Sequence, residues 1–205
     1  MKHRLYSLPS FFEGEASLLN SLFEVGLPCL HLRKPQQTLD AYTCLLEQID
    51  VSYYSRIIVH QYPELVSKFG LLGLHLTEAA RQHLNNEELQ ALISEQHQNG
   101  CLVGTSVHQK KALFSLPSNL DYSTVSPIFP SISKKNYQPT EHWQITELEF
   151  SFALVGLGGM GMETLEVAYE WGFREVAFLG AVWNDLSSVL QNYQLLCKKI
   201  NDLTL

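Results

Sequence analysis

The chain alternates between short apolar runs and longer stretches whose apolar residues recur at helical spacing. A short apolar run bounded by polar residues is typical of a buried strand, whereas recurrence every three or four residues, roughly one helical turn, is typical of an amphipathic helix. Eight runs predict strands, at Arg4–Leu8, Cys29–Leu32, Ile57–His60, Gly73–Leu76, Cys101–Val107, Tyr122–Ile128, Phe152–Leu157 and Val176–Leu179.

Helical patterns separate these runs. They predict helices at Glu15–Val25, Leu39–Ile49, Glu64–Phe69, Asn86–Gln98, Met162–Trp171 and Asp185–Ile200, with a weaker pattern at Glu141–Leu148. In the last of the six, Leu186, Val189 and Tyr193 fall on one helical face.

A regular succession of strands and helices predicts an α/β fold and, with eight units, a compact (β/α)₈ TIM barrel. No composition break divides the chain, so we expect residues 1–205 to form a single barrel domain. The alternative is an open, doubly wound sheet. In both architectures the active groups follow the carboxyl ends of the strands.

Composition and charge narrow the class of protein. The net charge of −7 is atypical of a general nucleic-acid binder, so we expect no nucleic-acid partner. The longest apolar runs are far shorter than the roughly 20 residues that cross a bilayer, and residues 1–10 lack a signal core, so we expect a cytoplasmic protein without membrane contact. The dispersed cysteines Cys29, Cys44, Cys101 and Cys197 are expected to be reduced core thiols.

Polar groups gather at the predicted strand ends. The groups suited to anionic oxygens are Arg33, Ser106, Ser131, Ser133 and Lys134, and Gly158, Gly159 and Gly180 follow the seventh and eighth strands, where barrels commonly bind phosphate. Any one of these residues alone is more often surface charge or a strand terminator. Their joint placement predicts a phosphate or pyrophosphate site.

Four histidines also lie at strand ends, at positions 31, 60, 75 and 108. Imidazoles in such a place can bind zinc or iron, but a single histidine is more often a hydrogen-bonded structural residue. Because the chain has no HxH or HExxH pair, we rank a histidine metal site below the structural role. His75 and His108 are instead candidate proton-transfer groups.

Several segments resemble the thiamine-phosphate synthase and thiazole tautomerase family, whose members are TIM barrels. The matching segments are "LHLRK" (30–34), "GLHLTE" (73–78), "VGTSVH" (103–108), "SPIFPSISKK" (126–135), "VGLGG" (155–159) and "VAFLGAV" (176–182). They follow the family's order and spacing over nearly the whole chain, and the "PIFP" segment with its hydroxyl and lysine residues is the most specific.

The resemblance implies a reaction and roles for residues. The synthases join a hydroxymethylpyrimidine pyrophosphate to a thiazole phosphate with release of pyrophosphate, which requires positive charge, usually with Mg²⁺, and a phosphate cradle. Arg33, with His31 and His60 beside it, would serve the pyrophosphate end, and Ser106 and Lys134 would contact the leaving group. The implied cradle for the thiazole phosphate consists of Ser131, Ser133, Gly159, Leu179 and Gly180.

The sequence departs from the family's pattern where Mg²⁺ binds. The two aspartate positions of the family hold Gln61 and Ala80, and the family's second pyrophosphate lysine falls on Pro35, next to Lys34. Hard cations prefer carboxylate oxygens, so we expect weak Mg²⁺ binding unless Glu78 substitutes. The tautomerases' catalytic histidine position holds Pro127, so the loop matches the synthases better.

Three functions are compatible with the sequence. One is a synthase of thiamine biosynthesis, a second is a Mg²⁺-independent enzyme acting on a thiazole phosphate or another small phosphate, and a third is a non-catalytic binder. All three imply a small phosphorylated heterocycle as ligand. A homo-oligomer is compatible with each of them.

Overall fold

A computed structural model describes residues 1–132 and 138–204. Its eight strands are β1 (Lys2–Tyr6), β2 (Leu30–Leu32), β3 (Ile57–Val59), β4 (Gly73–Leu76), β5 (Leu102–Val107), β6 (Tyr122–Val125), β7 (Ala153–Gly156) and β8 (Glu175–Phe178). All neighbouring pairs are parallel, and the strands close in sequence order. β1 pairs directly with β8, Leu5 lying opposite Phe178. This closure confirms the TIM barrel and excludes the open sheet.

Helices connect the strands on the outside of the barrel. They are α1 (Glu15–Glu24), α2 (Leu39–Leu46), α3 (Glu64–Phe69), α4 (Glu78–Gln82), α5 (Asn86–Gln98), α6 (Lys110–Leu113), α7 (Leu165–Glu170), α8 (Gly180–Trp183) and α9 (Val189–Thr204), with 3₁₀ turns at Val51–Arg56 and Leu186–Ser188. Local chemistry sets several ends: Asn85 and Glu88 form a reciprocal capping box at α5, and Gly70 ends α3 with a positive φ of 65°.

Two helix predictions need correction. The segment Glu141–Leu148 is not helical, and residues 126–132 and 138–152, between β6 and β7, contain no helix. The buried residues Trp143 and Ile145 of that segment lie two positions apart, a spacing that anchors an extended chain, and Ile145 N donates to Trp171 O at 2.8 Å. The last helix begins at Val189, because the Asp185 carboxylate accepts from Ser187 N and holds the preceding turn as 3₁₀.

The core has two layers, since side chains alternate between the faces of each strand. Leu30 and Leu32 of β2 belong to the large cluster between sheet and helices, whereas His31 between them faces the barrel interior. The small interior cluster consists of Tyr6, Cys29, Ile58, Tyr122, Val155 and Ala177. Among the thiols, Cys29 and Cys101 are buried as expected, but Cys44 is exposed.

Within the described ranges, no helix has the length and apolarity needed to cross a membrane.

Candidate functional site at the barrel mouth

A cavity of about 570 Å³ opens at the carboxyl ends of the strands. Its walls come from the loops after β2, β4, β5, β6, β7 and β8. The described lining residues are Tyr6, Arg33, His60, His75, Thr77, Glu78, Ala79, Gln82, Ser106, His108, Ser126, Ser131, Ile132, Leu157, Gly158, Gly159, Met160, Ala177, Leu179 and Gly180. The size suits a small heterocyclic ligand.

Arg33 provides the positive charge of this cavity. It is exposed, and no acidic side chain in the described part of the chain pairs with its guanidinium. Ser7 fixes its backbone, because Arg33 N donates to Ser7 Oγ at 3.0 Å and Ser7 Oγ donates to Arg33 O at 3.3 Å. Arg33 is the only Lys or Arg among the described lining residues. The guanidinium group, which extends from this fixed backbone, is suited to phosphate oxygens.

A glycine turn forms the opposite wall. Gly158 and Gly159 follow β7 with positive φ angles of 98° and 63°. A Cβ on Gly158 would lie 2.8 Å from Pro127 Cα, and one on Gly159 would overlap Pro130 O. The loop after β6 runs along this turn, with Phe129 N donating to Gly158 O at 3.1 Å. Only glycine therefore fits where the two loops meet, and the exposed backbone of the turn faces the cavity.

A third wall carries Glu78, Ser106 and His108. Glu78 N donates to Ser106 Oγ at 3.2 Å, which links the start of α4 to β5. The Glu78 carboxylate lies 3.8 Å from Arg81 Nη2 and 3.9 Å from His108 Nε2. His108 Nδ1 lies 2.8 Å from Ser126 O, its natural acceptor, so that its other nitrogen is turned toward Glu78.

Aromatic rings and imidazoles form the floor. His31 and His60 share a hydrogen bond, with His31 Nδ1 3.0 Å from His60 Nε2, and His75 Nδ1 lies 3.1 Å from the Tyr122 hydroxyl. Burial, with a smaller contribution from His75, lowers the pKa of His31 and His60 well below the usual value. Burial also lowers the pKa of His75 to about 3 and raises that of Tyr6 to about 12. These rings are therefore uncharged at neutral pH.

The structure brings most of the predicted site residues together. Nine of them line the cavity: Arg33, His60, His75, Ser106, His108, Ser131, Gly159, Leu179 and Gly180. His31 does not, because it is completely buried beneath His60. Its Nδ1 lies 3.0 Å from His60 Nε2, which connects it to the cavity floor. Ser133 and Lys134 lie outside the described residues, so their assigned roles stay predictions.

Sequence reasoning missed four polar members of the wall and floor, Tyr6, Thr77, Gln82 and Ser126. Tyr6 ends β1 on the interior face, and its hydroxyl lies 3.2 Å from Thr124 Oγ1. Strict alternation from the buried Leu5 could have placed it inside the barrel.

The residues at the family's Mg²⁺ positions do not fit that ion. Gln61 is absent from the cavity wall, and its Oε1 accepts from the Tyr42 hydroxyl at 2.9 Å. Ala80 has no ligand atom and is exposed on α4. Glu78 is the only carboxylate among the described lining residues, and it faces Arg81 and His108. One carboxylate beside a guanidinium is a poor ligand set for a hard cation.

Lys34 does not replace the missing lysine in the cavity. Its side chain is fully buried on the other side of β2, where Nζ forms an ion pair with Glu15 and donates to Ser10 O at 3.0 Å. Just past the end of β2, the side chains of Arg33 and Lys34 therefore lie on opposite sides of the chain.

The fold and this mouth define a class of protein: a TIM barrel with an exposed arginine on one side of its mouth and a glycine turn on the other. The family model for thiamine monophosphate synthase matches residues 12–182. The chain belongs to that family.

Individual relatives agree with this assignment. The thiamine-phosphate synthase of Streptococcus suis is 24% identical over 80% of this chain and 73% of its own length, and that of Listeria innocua is 24% identical over 85% and 86%. The thiamine phosphate pyrophosphorylase of Bacteroides thetaiotaomicron superposes with a TM-score of 0.75 at 28% identity, covering 99% of this chain and 98% of that one. The 3-hexulose-6-phosphate synthase of Salmonella typhimurium, with a TM-score of 0.72 at 12% identity over 99% and 100%, shares the fold alone.

Proposed function

We propose that the barrel mouth binds phosphorylated thiamine precursors and that the protein is a transferase of the thiamine-phosphate synthase type. The observation that carries this proposal is the placement of Arg33 and the Gly158–Gly159 turn on the walls of one cavity in a chain of this family. The expected ligands are a thiazole phosphate and a hydroxymethylpyrimidine pyrophosphate.

The thiazole phosphate is assigned to the glycine side of the cavity. Backbone at Gly159 and Gly180, with Ser131 beside them, provides polar groups that approach a phosphate without obstruction by a Cβ. The apolar residues Ile132, Leu157 and Met160 lie on the same side and give the heterocycle a surface to pack against. Ser133 and Lys134 follow Ile132 in the chain and are predicted to add a hydroxyl and a positive charge.

The pyrophosphate is assigned to the Arg33 side. In the coupling reaction the bond between the pyrimidine methylene carbon and the pyrophosphate oxygen breaks, and pyrophosphate leaves with the electron pair. The thiazole nitrogen then donates its lone pair to the methylene carbon and forms the new C–N bond. Arg33, with Ser106 and the predicted contact of Lys134, stabilises the charge that develops on the leaving group. The buried, neutral floor excludes water from the cation.

A second candidate function is favoured by the poor Mg²⁺ site. The protein would then bind or convert a thiazole phosphate, or another small phosphate ester, without Mg²⁺ and without a pyrophosphate step. His108 or His75 would be the proton-transfer group, since both line the cavity. A non-catalytic role in binding such a ligand belongs to the same candidate.

One assay separates the two candidates. The purified chain is incubated with both thiamine precursors, in Mg²⁺ or in excess chelator, and thiamine phosphate is measured. Product above background supports the transferase. Absence of product, together with thermal stabilisation by the thiazole phosphate alone, supports the second candidate. Absence of both effects contradicts the phosphate site itself.

Variants locate the ligand in the cavity. Arg33→Ala is expected to remove most of the product or of the pyrophosphate-dependent stabilisation, and Lys134→Ala to remove stabilisation by the thiazole phosphate. Lys111→Ala is the control, since Lys111 is exposed and does not line the cavity. Equal effects of the control and Arg33→Ala would show that overall charge, and not the site, is responsible.

A further inference from the structure

Three histidines from successive strands converge under the cavity. His31 lies in β2, His60 directly follows β3 and His75 lies in β4, and all three are buried. Each offers a ring nitrogen, and these nitrogens lie within 4.8 Å of one another. The residues are 29 and 15 positions apart in the chain, so closure of the barrel, and no local motif, brings them together. His60 and His75 also form part of the cavity floor.

Aromatic packing holds these rings in place. Tyr6 stacks on His31 with centroids 4.4 Å apart and an interplanar angle of 12°. Tyr122 stacks on His75 at 5.7 Å, and it can do so because Gly104 has no side chain: a Cβ there would overlap the Tyr122 ring. His60 and His75 also stack on each other, with centroids 4.2 Å apart and an interplanar angle of 29°, so binding of one ion by all three histidines requires some rotation of these rings.

The hydrogen bonds leave one ring nitrogen of each histidine available near the other two. His75 Nδ1 is engaged by the Tyr122 hydroxyl, which leaves Nε2 as its ligand atom. His31 Nδ1 and His60 Nε2 are 3.0 Å apart. Two nitrogens bound to one tetrahedral ion at about 2.0–2.1 Å lie roughly 3.3 Å apart, so a small outward shift would admit an ion between them. His60 Nδ1 is buried without a hydrogen-bond partner, an unsatisfied atom inside the same cluster.

Two guanidinium groups act on the cluster, those of Arg4 and of the exposed Arg33, and Arg4 is paired with an acidic side chain. Arg4 Nη1 lies 3.5 Å from His31 Nε2, at the limit of a hydrogen bond, while Arg4 Nη2 donates to Glu175 at 2.8 Å. Glu175 therefore neutralises Arg4. The Tyr122 hydroxyl orients His75 in the manner in which outer-shell groups orient metal-bound imidazoles.

From this geometry we infer that His31, His60 and His75 form a binding site for one divalent transition-metal ion of the zinc class. Imidazole nitrogen suits zinc, cobalt, nickel and copper, and does not suit Mg²⁺. Three protein ligands leave a fourth position, and it faces the cavity because His60 and His75 line the cavity floor. The site is separate from the Mg²⁺ positions Gln61 and Ala80, and its test by metal binding does not require the proposed reaction.

Cobalt(II) titration of the chelator-treated full chain tests this inference, because tetrahedral cobalt bound to imidazoles absorbs in the visible region. We expect saturation at one ion per chain and displacement of cobalt by zinc. His75→Gln and His60→Gln should each weaken binding at least about 100-fold, since loss of an outer-shell partner alone typically costs 10–100-fold. His83→Gln is the control, because His83 is exposed and outside the cluster.

The wild-type titration decides the case even where a variant fails to fold. Absence of saturable, one-to-one binding by the wild-type chain overturns the inference. Unchanged affinity in a variant that retains its circular dichroism spectrum overturns it as well. Neither result bears on the thiamine-phosphate assay, which needs no ion in this cluster.

Discussion

At the scale of single residues, two neighbours in the chain differ completely in burial. Arg33 is exposed to the cavity, whereas Lys34 is completely buried and paired with Glu15. Glu15 Oε2 has no hydrogen-bond partner, so Lys34 is the main compensation for this buried carboxylate. A buried ion pair need not stabilise a fold, but removal of one partner leaves an uncompensated charge.

Lys34→Met is therefore expected to lower the free energy of unfolding by about 3–5 kcal/mol, measured by urea denaturation. Lys199→Met is the matched control, because its pair with Glu166 is partly exposed and should be worth less than about 1 kcal/mol. The double variant Lys34→Met/Glu15→Leu should recover much of the loss. Equal effects of the two single variants would show that the Glu15–Lys34 pair is not buried in solution.

The buried His3 should make the free energy of unfolding depend on pH. Burial lowers its pKa from 6.5 to about 4, and its Nε2 lies 2.8 Å from the Tyr193 hydroxyl. The unfolded chain takes up a proton on this residue below pH 6.5, whereas the folded chain does not until about pH 4. Stability should therefore fall as the pH falls from 6.5 to 4, by on the order of 2 kcal/mol for this group.

The measurement compares unfolding free energies of the wild type and His3→Gln across that pH range. The difference between the two should shrink or reverse as the pH falls, because glutamine does not titrate. A constant difference between neutral pH and the lower end of that range would assign the acid sensitivity to other groups.

At the scale of elements, the turns after the strands position the chemistry. The turn after β7 is fastened on both sides: Phe129 N donates to Gly158 O, and Thr164 Oγ1 donates to Gly159 O at 2.9 Å. Both hydrogen bonds are accepted by carbonyl oxygens of the turn itself. The cavity wall depends on the close approach of two loops, and that approach requires glycine.

Gly159→Ala tests this packing against a matched substitution. Gly100, with φ of 73°, has open space where a Cβ would lie, so Gly100→Ala should cost only the backbone strain, about 1–2 kcal/mol. Gly159 has a similar φ, and its added Cβ would also lie 2.6 Å from Phe129 Cβ. Gly159→Ala should therefore lower the free energy of unfolding in urea by more than Gly100→Ala does, and it should weaken binding of the phosphate ligand. Equal losses of stability in the two variants would contradict the close approach of the two loops.

At the scale of the whole molecule, specific contacts join the first strand of the barrel to the last strand and the helix after it. Trp183 Nε1 donates to Tyr6 O at 2.7 Å, linking α8 to β1, and Arg4 of β1 pairs with Glu175 of β8. These contacts cross the seam where the first and last strands meet. The helix α9 covers the same region with the buried residues Tyr193, Leu196 and Ile200.

Trp183→Phe removes the hydrogen bond across the seam and keeps an aromatic ring. We expect a loss of about 1–2 kcal/mol in thermal or urea unfolding, because the Tyr6 carbonyl loses a buried donor. Trp171→Phe serves as the control, since Trp171 contacts Phe129 and His142 mainly by ring packing. A cost no greater than that of the control would show that the seam does not depend on this bond.

The sequence predicts the strands and most helices because burial imposes a period on the chain. Each predicted strand overlaps an observed one, and His60 lines the cavity at the end of its strand, where the sequence places it. The weak Glu141–Leu148 helix is wrong because tertiary contacts, such as Ile145 with Trp171, hold that segment extended. Local propensity is easily overridden where the pattern is weak.

The sequence by itself determined three things: the family, the barrel fold and the position of the polar groups at the strand ends. It could do so because periodicity and short motifs are local properties of a chain. Only the tertiary structure decided which of those groups meet. It joined Arg33 and the glycine turn in one cavity, and it left Gln61 bound to Tyr42 outside the cavity wall. It also brought ring nitrogens of His31, His60 and His75 within 4.8 Å of one another, while His108 stayed with Ser126 and Glu78. Such distances depend on how parallel strands close into a barrel, and no single segment of the chain contains that information.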